Sequence, residues 1–223
     1  MRHCAVIVLA KAPAPGRSKT RCSPPCTLEQ AAELAAAALH DTLAAVAATP
    51  ARRHVVALDG PAGSWLPAGF DVVAQRGHDL DERLAAAFTD VGGPALLIGM
   101  DTPQVSAQSL VEAQTTLIGG DVDAVLGPAE DGGYWLVGLR QPDPAVFLGV
   151  PMSRADTAQV QLARLYERGY RVELLPSLRD VDTFADAVAV AATTPGSLFA
   201  RTVTRLALAT APTGRAANAV VAS

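Results

Sequence analysis

Residues 11–21, KAPAPGRSKTR, hold four cations around two prolines and a glycine. Such a stretch can bind phosphate. Proline and glycine turn the backbone so that N–H groups point outward, while lysine supplies a point charge and arginine a bidentate fork. Lys11, Gly16, Arg17, Lys19 and Arg21 are therefore candidate nucleotide or phosphate contacts. The plainer alternative is a solvated basic loop. Neither G-x-x-x-x-G-K-[ST] nor G-x-G-x-x-G is present, so the loop is not a P-loop and an ordinary dinucleotide site is not indicated.

Carboxylates recur where other strands should end. LLIGMDTP places Asp101 behind a buried run, with Pro103 forcing a turn, and RDVDTF offers Asp180 and Asp182 between a strand and a helix. Two carboxylates from separate strand ends can share a hard divalent cation, which needs only one or two of them when phosphate oxygens complete its shell. Asp101 and Asp182 are the candidate ligands for Mg²⁺ or Mn²⁺. Each also has a structural alternative as a helix N-cap, although Ser106 suits the helix after Asp101 better.

GPAEDGGYWLVGL (127–139) is the third stretch. Asp131 can orient a sugar hydroxyl or act as a base, Gly132 and Gly133 allow close backbone approach, and Tyr134 can stack or donate. These four are candidate acceptor or sugar contacts, and Asp131 with Lys19 are the candidate catalytic residues. The competing reading is a hairpin turn, since Asp-Gly is a common turn pair. His3, His40, His54 and His78 lack ligand spacing, and only His78, before a helix, is placed to face the cleft. Cys22 and Cys26 have no second Cys or His pair to complete a metal site.

The elements that would position these residues alternate along the chain. HCAVIVLA (3–10), RHVVALDG (53–60), FDVVAQ (70–75), PALLIGMD (94–101), VDAVLGPA (122–129), YWLVGLR (134–140) and YRVELLP (170–176) read as strands. Helices are expected over 27–48, 79–91, 106–118, 156–168 and 183–194, the first opened by a Thr27-x-x-Gln30 capping box. This order predicts a mostly parallel sheet with helices on both faces, YWLVGLR being its antiparallel member. Ligands of such sheets bind beyond the carboxyl ends of the strands, where all the stretches above fall. Residues 1–195 are expected to form one domain, and 196–223 a final helix with a flexible tail.

The chain has 223 residues, half of them apolar, and a net charge of −4. That length suits one α/β domain. With positive charge confined to one loop, a small anionic ligand is expected and a nucleic acid is not. No apolar stretch reaches the roughly 20 residues of a membrane span. Three cysteines make no disulfide framework, and the expected compartment is the cytoplasm.

Taken in order, AKAPAPGRSKTR, HDLDERLAAAF, LLIGMDTP, GPAEDGGYWLVGL, VPMSRADT and DVDTFADA resemble a family of GT-A-like transferases. Its members are described as arsenosugar-biosynthesis-type glycosyltransferases or as a domain of unknown function, related to phospholactate guanylyltransferase and, more remotely, to the molybdenum cofactor guanylyltransferases. The resemblance covers residues 3 to about 190. It implies a GT-A, Rossmann-like α/β/α sandwich with a mostly parallel mixed sheet, and a magnesium- or manganese-dependent transferase. The partners it implies are a nucleotide sugar or an NTP, and a small-molecule acceptor. By position, Lys19 and Arg21 fall on the family's phosphate loop, Asp101 on its acidic metal position and Asp182 on its D-x-D-T segment. The chain departs from the pattern at Cys22, usually Leu, at Asp81, often Gly, and at Met152, usually Trp. Glycosyl transfer from a nucleotide sugar to a small-molecule acceptor is the expected function, with nucleotidyl transfer as the alternative and a non-catalytic nucleotide-binding module as the second alternative.

Overall fold

A strand that is apolar on both sides belongs in the middle of a sheet covered on both faces. The computed structural model, which describes residues 3–210, puts the first apolar run there. Its strands are β1 (Ala5–Lys11), β2 (Arg53–Asp59), β3 (Asp71–Ala74), β4 (Ala95–Gly99), β5 (Ala124–Pro128), β6 (Tyr134–Leu139) and β7 (Val172–Leu174). They form one sheet in the order β3-β2-β1-β4-β6-β5-β7. All neighbours are parallel except β6, which runs antiparallel to β4 and β5. The last strand is shorter than the run 170–176 suggests. Leu175 N–H still donates to Leu126 O (2.9 Å), but Pro176 has no N–H to continue the ladder.

The helices are α1 (Leu28–Ala47), α2 (Leu80–Val91), α3 (Ala107–Gly119), α4 (Thr157–Glu167), α5 (Phe184–Thr193) and α6 (Leu198–Thr210). Alternation along β1 divides the core. Val6 and Val8 pack with Leu39, Leu43 and Leu110 of α1 and α3, whereas Ala5 and Ile7 pack with Leu84, Phe88 and Leu165 of α2 and α4. Gly138 of β6 keeps this packing tight, since a Cβ there would lie 2.5 Å from Leu96 Cδ2 and 2.6 Å from Val125 Cγ2.

Helix α1 is buried on two sides, which accounts for its alanines: small side chains let a second layer approach. Ala31, Leu34, Ala37 and Ala38 face away from the sheet and pack with Val190 of α5 and Phe199, Val203 and Leu206 of α6. Its start carries the expected capping box, with Gln30 N–H donating to Thr27 Oγ1 (3.2 Å) and Thr27 N–H to Gln30 Oε1 (2.8 Å). Helix α6 is thus packed into the body of the fold. The tail expected beyond it, residues 211–223, lies outside the described residues.

Because β6 is reversed, its first residue sits at the same edge as the last residues of β1, β4, β5 and β7. The loops 12–27, 100–106, 129–133 and 175–183 therefore gather at one end of the sheet. If α6 is part of this core, Phe199→Ala should cost about 3–5 kcal/mol in chemical denaturation, as for other fully buried phenylalanines; Phe199 has no exposed surface. A loss below about 1 kcal/mol would make the helix an appendage.

Candidate functional site

The loop after β1 turns on itself through local bonds. Arg17 and Ser18 N–H donate to Ala14 O, and Ala14 N–H donates to Ser18 Oγ (3.3 Å). Gly16 has φ +72° and Lys19 has φ +50°, the latter a left-handed conformation unusual for a residue with a side chain. That conformation precedes the short turn Thr20–Cys22. The Lys19 side chain is directed inward, only 6% exposed, with Nζ 2.5 Å from Asp101 Oδ1 and a further bond to Val181 O. The other cations are placed differently. Arg17 is 60% exposed and 3.7 Å from Asp59, and Arg21 is 74% exposed with Nη1 2.6 Å from Asp182 Oδ2. Together with Lys11 they line a cavity of about 250 Å³ that also reaches Asp101 and Asp182.

The second wall is built by backbone pairing. Glu130 N–H donates to Leu178 O (3.0 Å) and Leu178 N–H to Pro128 O (3.1 Å), so residues 178–182 run alongside the end of β5. An ion pair from Arg179 Nε to Glu130 Oε2 (2.7 Å) closes this ladder from outside. Alternate residues of an extended chain face the same side, so Asp180 and Asp182 both reach Asp131. The three carboxylates lie within 4.8 Å of one another.

EDGG is a hairpin turn, and it is also part of this cluster. Ala129 and Gly133 are joined across it by a hydrogen bond of 2.8 Å, and Asp131 Oδ1 accepts from Gly133 N–H (2.7 Å). Gly132 is required twice over. Its φ is +91°, and a Cβ would lie 1.9 Å from Ala155 O. Gly132 O also accepts from Ala158 N–H (2.8 Å), which pins the turn against the start of α4. Tyr134 hydroxyl donates to Gln161 Oε1 (3.3 Å), and burial, with the charge of Asp81, pushes its ionisation well above the usual range. It forms a wall and does not exchange protons near neutral pH.

The structure brings most of the expected residues to one edge but distributes them differently. Asp182 belongs to the acidic cluster and does not cap α5, because Thr183 does, in a capping box with Asp186. Asp101 faces Lys19 and is not a member of the cluster, whose third carboxylate is Asp180. The signal for Asp180 was the D-x-D spacing itself. Lys11 and Arg17 line the cavity, whereas Gly16 shapes the loop without lining it. His78 is exposed beside Asp79 and lines neither site cavity. Cys22 and Cys26 are buried free thiols, and burial pushes Cys22 up to about 11, far from a metal-binding thiolate at neutral pH.

The cluster fits a hard divalent cation in the identity of its donors, three carboxylates with no sulfur or imidazole. Its charges are crowded. Burial first, then the neighbouring Asp131 and Asp182, push Asp180 up to about 6.

The chain belongs to a bacterial protein family described as "Uncharacterized protein conserved in bacteria (DUF2064)", whose profile matches residues 30–154. Its fold is that of nucleotide-diphospho-sugar transferases and cytidylyltransferases. A crystal structure from Desulfovibrio desulfuricans G20, provisionally named a nucleotide-diphospho-sugar transferase, superposes with a TM-score of 0.82 at 28% identity, over 94% of this chain and 97% of that one. CMP:2-keto-3-deoxy-manno-octonic acid synthetase, solved with CTP, shares the fold at a TM-score of 0.56 and 10% identity, over 92% and 99% of the two chains. A cytidylyltransferase from Leptospira borgpetersenii serovar Hardjo-bovis (strain JB197) does so at 0.54 and 9%, over 94% and 95%. No curated protein gives a significant sequence match. Among the described residues, no helix is long and apolar enough to cross a membrane.

The raised Asp180 predicts how stability depends on pH. Between the usual carboxylate range and about pH 6 the folded chain holds a proton that the unfolded chain has released, so stability falls as pH rises through that window. In metal-free buffer, Asp180→Asn should melt above wild type at pH 7.5, and the difference should shrink as the pH is lowered toward 4. A difference independent of pH would show that the crowding does not act through charge.

Proposed function

We propose that this chain is a divalent-cation-dependent transferase whose donor is a nucleotide conjugate, and that it transfers a sugar from a nucleotide diphosphate to a small acceptor. The observation that carries this reading is the charge of the first cavity. Lys11, Arg17, Lys19 and Arg21 meet Asp101 and Asp182 there, leaving an excess of two positive charges. That excess matches a diphosphate more closely than a triphosphate. The resemblance to the Desulfovibrio protein, named for nucleotide-diphospho-sugars, supports the same donor class.

Each residue then has a task. Arg17 and Arg21, exposed and joined to carboxylates by surface pairs of little worth, can exchange those partners for phosphate oxygens. Lys19 holds the loop to Asp101 and Val181, setting where the arginines stand. Asp131, Asp180 and Asp182 would hold Mg²⁺ or Mn²⁺, which supplies positive charge to a diphosphate leaving group. Asp131 is also at the edge of the second cavity, and Gly133 N–H fixes its carboxylate in a direction suited to an acceptor hydroxyl.

Nucleotidyl transfer is the second reading, which the four loop cations would serve if Lys19 and Arg21 were freed from their carboxylates; there the same residues would bind an NTP and a substrate phosphate would attack its α-phosphorus, releasing pyrophosphate. A non-catalytic nucleotide-binding module would need the loop but not the three acids. Preference for a nucleotide sugar over its parent NTP in calorimetry with Mn²⁺ would favour the first reading, and the reverse preference would replace it with the second.

Two substitutions separate binding from turnover. Arg21→Ala should weaken nucleotide binding by about 1.5–3 kcal/mol, the range for hydrogen bonds to charged groups; unchanged affinity would return the loop to a solvated basic segment. Asp131→Asn should leave nucleotide affinity measured without metal near wild type and lower turnover by about 10²-fold or more, the reach of a positioned acid–base group. Near-normal turnover would make EDGG a turn and nothing more.

A further inference from the structure

The two cavities at the strand edge differ in charge. The first holds the loop cations. The second, of about 270 Å³, shares Met100 and Asp101 with it, but none of its lining residues is a lysine, arginine or histidine. Its lining is largely apolar, with Leu9, Leu80, Leu84, Leu97, Trp135 and Met152, and its charged residues are Asp101, Asp131 and Asp180.

We propose that the second cavity takes a substrate without phosphate or carboxylate, a neutral hydroxyl compound with an apolar face. This rests on the transferase reading and names its acceptor class. Lys19 answers Asp101 at the border with the first cavity, but among the described residues Asp131 and Asp180 have no ion pair, and no cation lines this cavity to receive an anion. A divalent cation on the three-carboxylate cluster, with Lys19 and Arg21, would only balance the four carboxylates and leave no excess positive charge for an anion. An anionic acceptor would lose hydration in a largely apolar cavity and find no cation in its lining to replace it. A neutral hydroxyl meets suitable partners instead.

One candidate partner is the hydroxyl of Thr102. Thr102 lines the cavity at 2% exposure, and its Oγ1 has no hydrogen-bond partner. Buried hydroxyls are ordinarily paired, so an unpaired one in a cavity wall points to a bound group. Ser153, also in the lining, is exposed and held at φ +59°. A side-chain residue in that conformation stores strain of the kind that gathers at ligand sites.

The test uses three probes with one body: butyl β-glucoside, butyl β-glucuronide and butyl β-glucoside 6-phosphate. Binding to the full chain with Mg²⁺ is followed by saturation-transfer NMR. The neutral glucoside should bind, and both anions should bind at least about tenfold more weakly. Leu80, 37% exposed at the cavity, tolerates a polar side chain, so Leu80→Lys should close or reverse that gap while Leu80→Gln keeps it. Equal or tighter binding of either anion to wild type overturns the proposal, as does no binding of the neutral probe. A separate titration with nucleoside diphosphates reports on the first cavity, so failure of the transferase reading would be seen there and not here.

Discussion

Four carboxylates, Asp101, Asp131, Asp180 and Asp182, converge on one edge of the sheet, and the arrangement depends on the single inward ammonium of Lys19. Like charges about 5 Å apart repel by something on the order of 3 kcal/mol per pair at the effective dielectric of a protein surface. Lys19 answers this from inside, binding Asp101 and the carbonyl between Asp180 and Asp182. A nearly buried ammonium needs both partners, because losing one would leave a charge without compensation. The left-handed backbone at Lys19 is the conformation in which this side chain points back into the protein while the arginines on either side point out. The loop after β1, the β4 terminus and the segment before α5 are thereby tied at one point, reinforced by Val181 N–H donating to Asp101 O (2.9 Å).

Much of the fold was legible in the sequence because its signals are local. Apolar runs bounded by turns gave the strands, capping boxes at Thr27 and Ser106 opened helices where expected, and the reversed YWLVGLR strand lies between β4 and β5. The candidate site was legible by its neighbourhood and not by its pairings. That charged loops would meet follows from a parallel sheet; that Lys19 would choose Asp101 while Asp182 joined Asp131 does not. Those choices depend on the ladder between residues 128–130 and 178, a contact across some fifty residues with no local signature. The apolar cavity was missed for the same reason, since Leu9, Leu84 and Trp135 look like ordinary core residues until the sheet brings them to one opening.

The reversed β6 has an architectural consequence. In a wholly parallel sheet every segment reaching the ligand edge must be followed by a crossover, so its length is constrained by the helix that comes after it. A hairpin carries no such burden. The turn between β5 and β6 closes on its own hydrogen bonds and is held against the start of α4 through Gly132, so it reaches the edge without a helix of its own. The part of the edge that bears Asp131 is therefore a short fixed corner, while the cationic loop opposite is clamped by Lys19. The edge thus combines two kinds of stiffness, a hairpin that closes on itself on one side and a salt-bridged loop on the other.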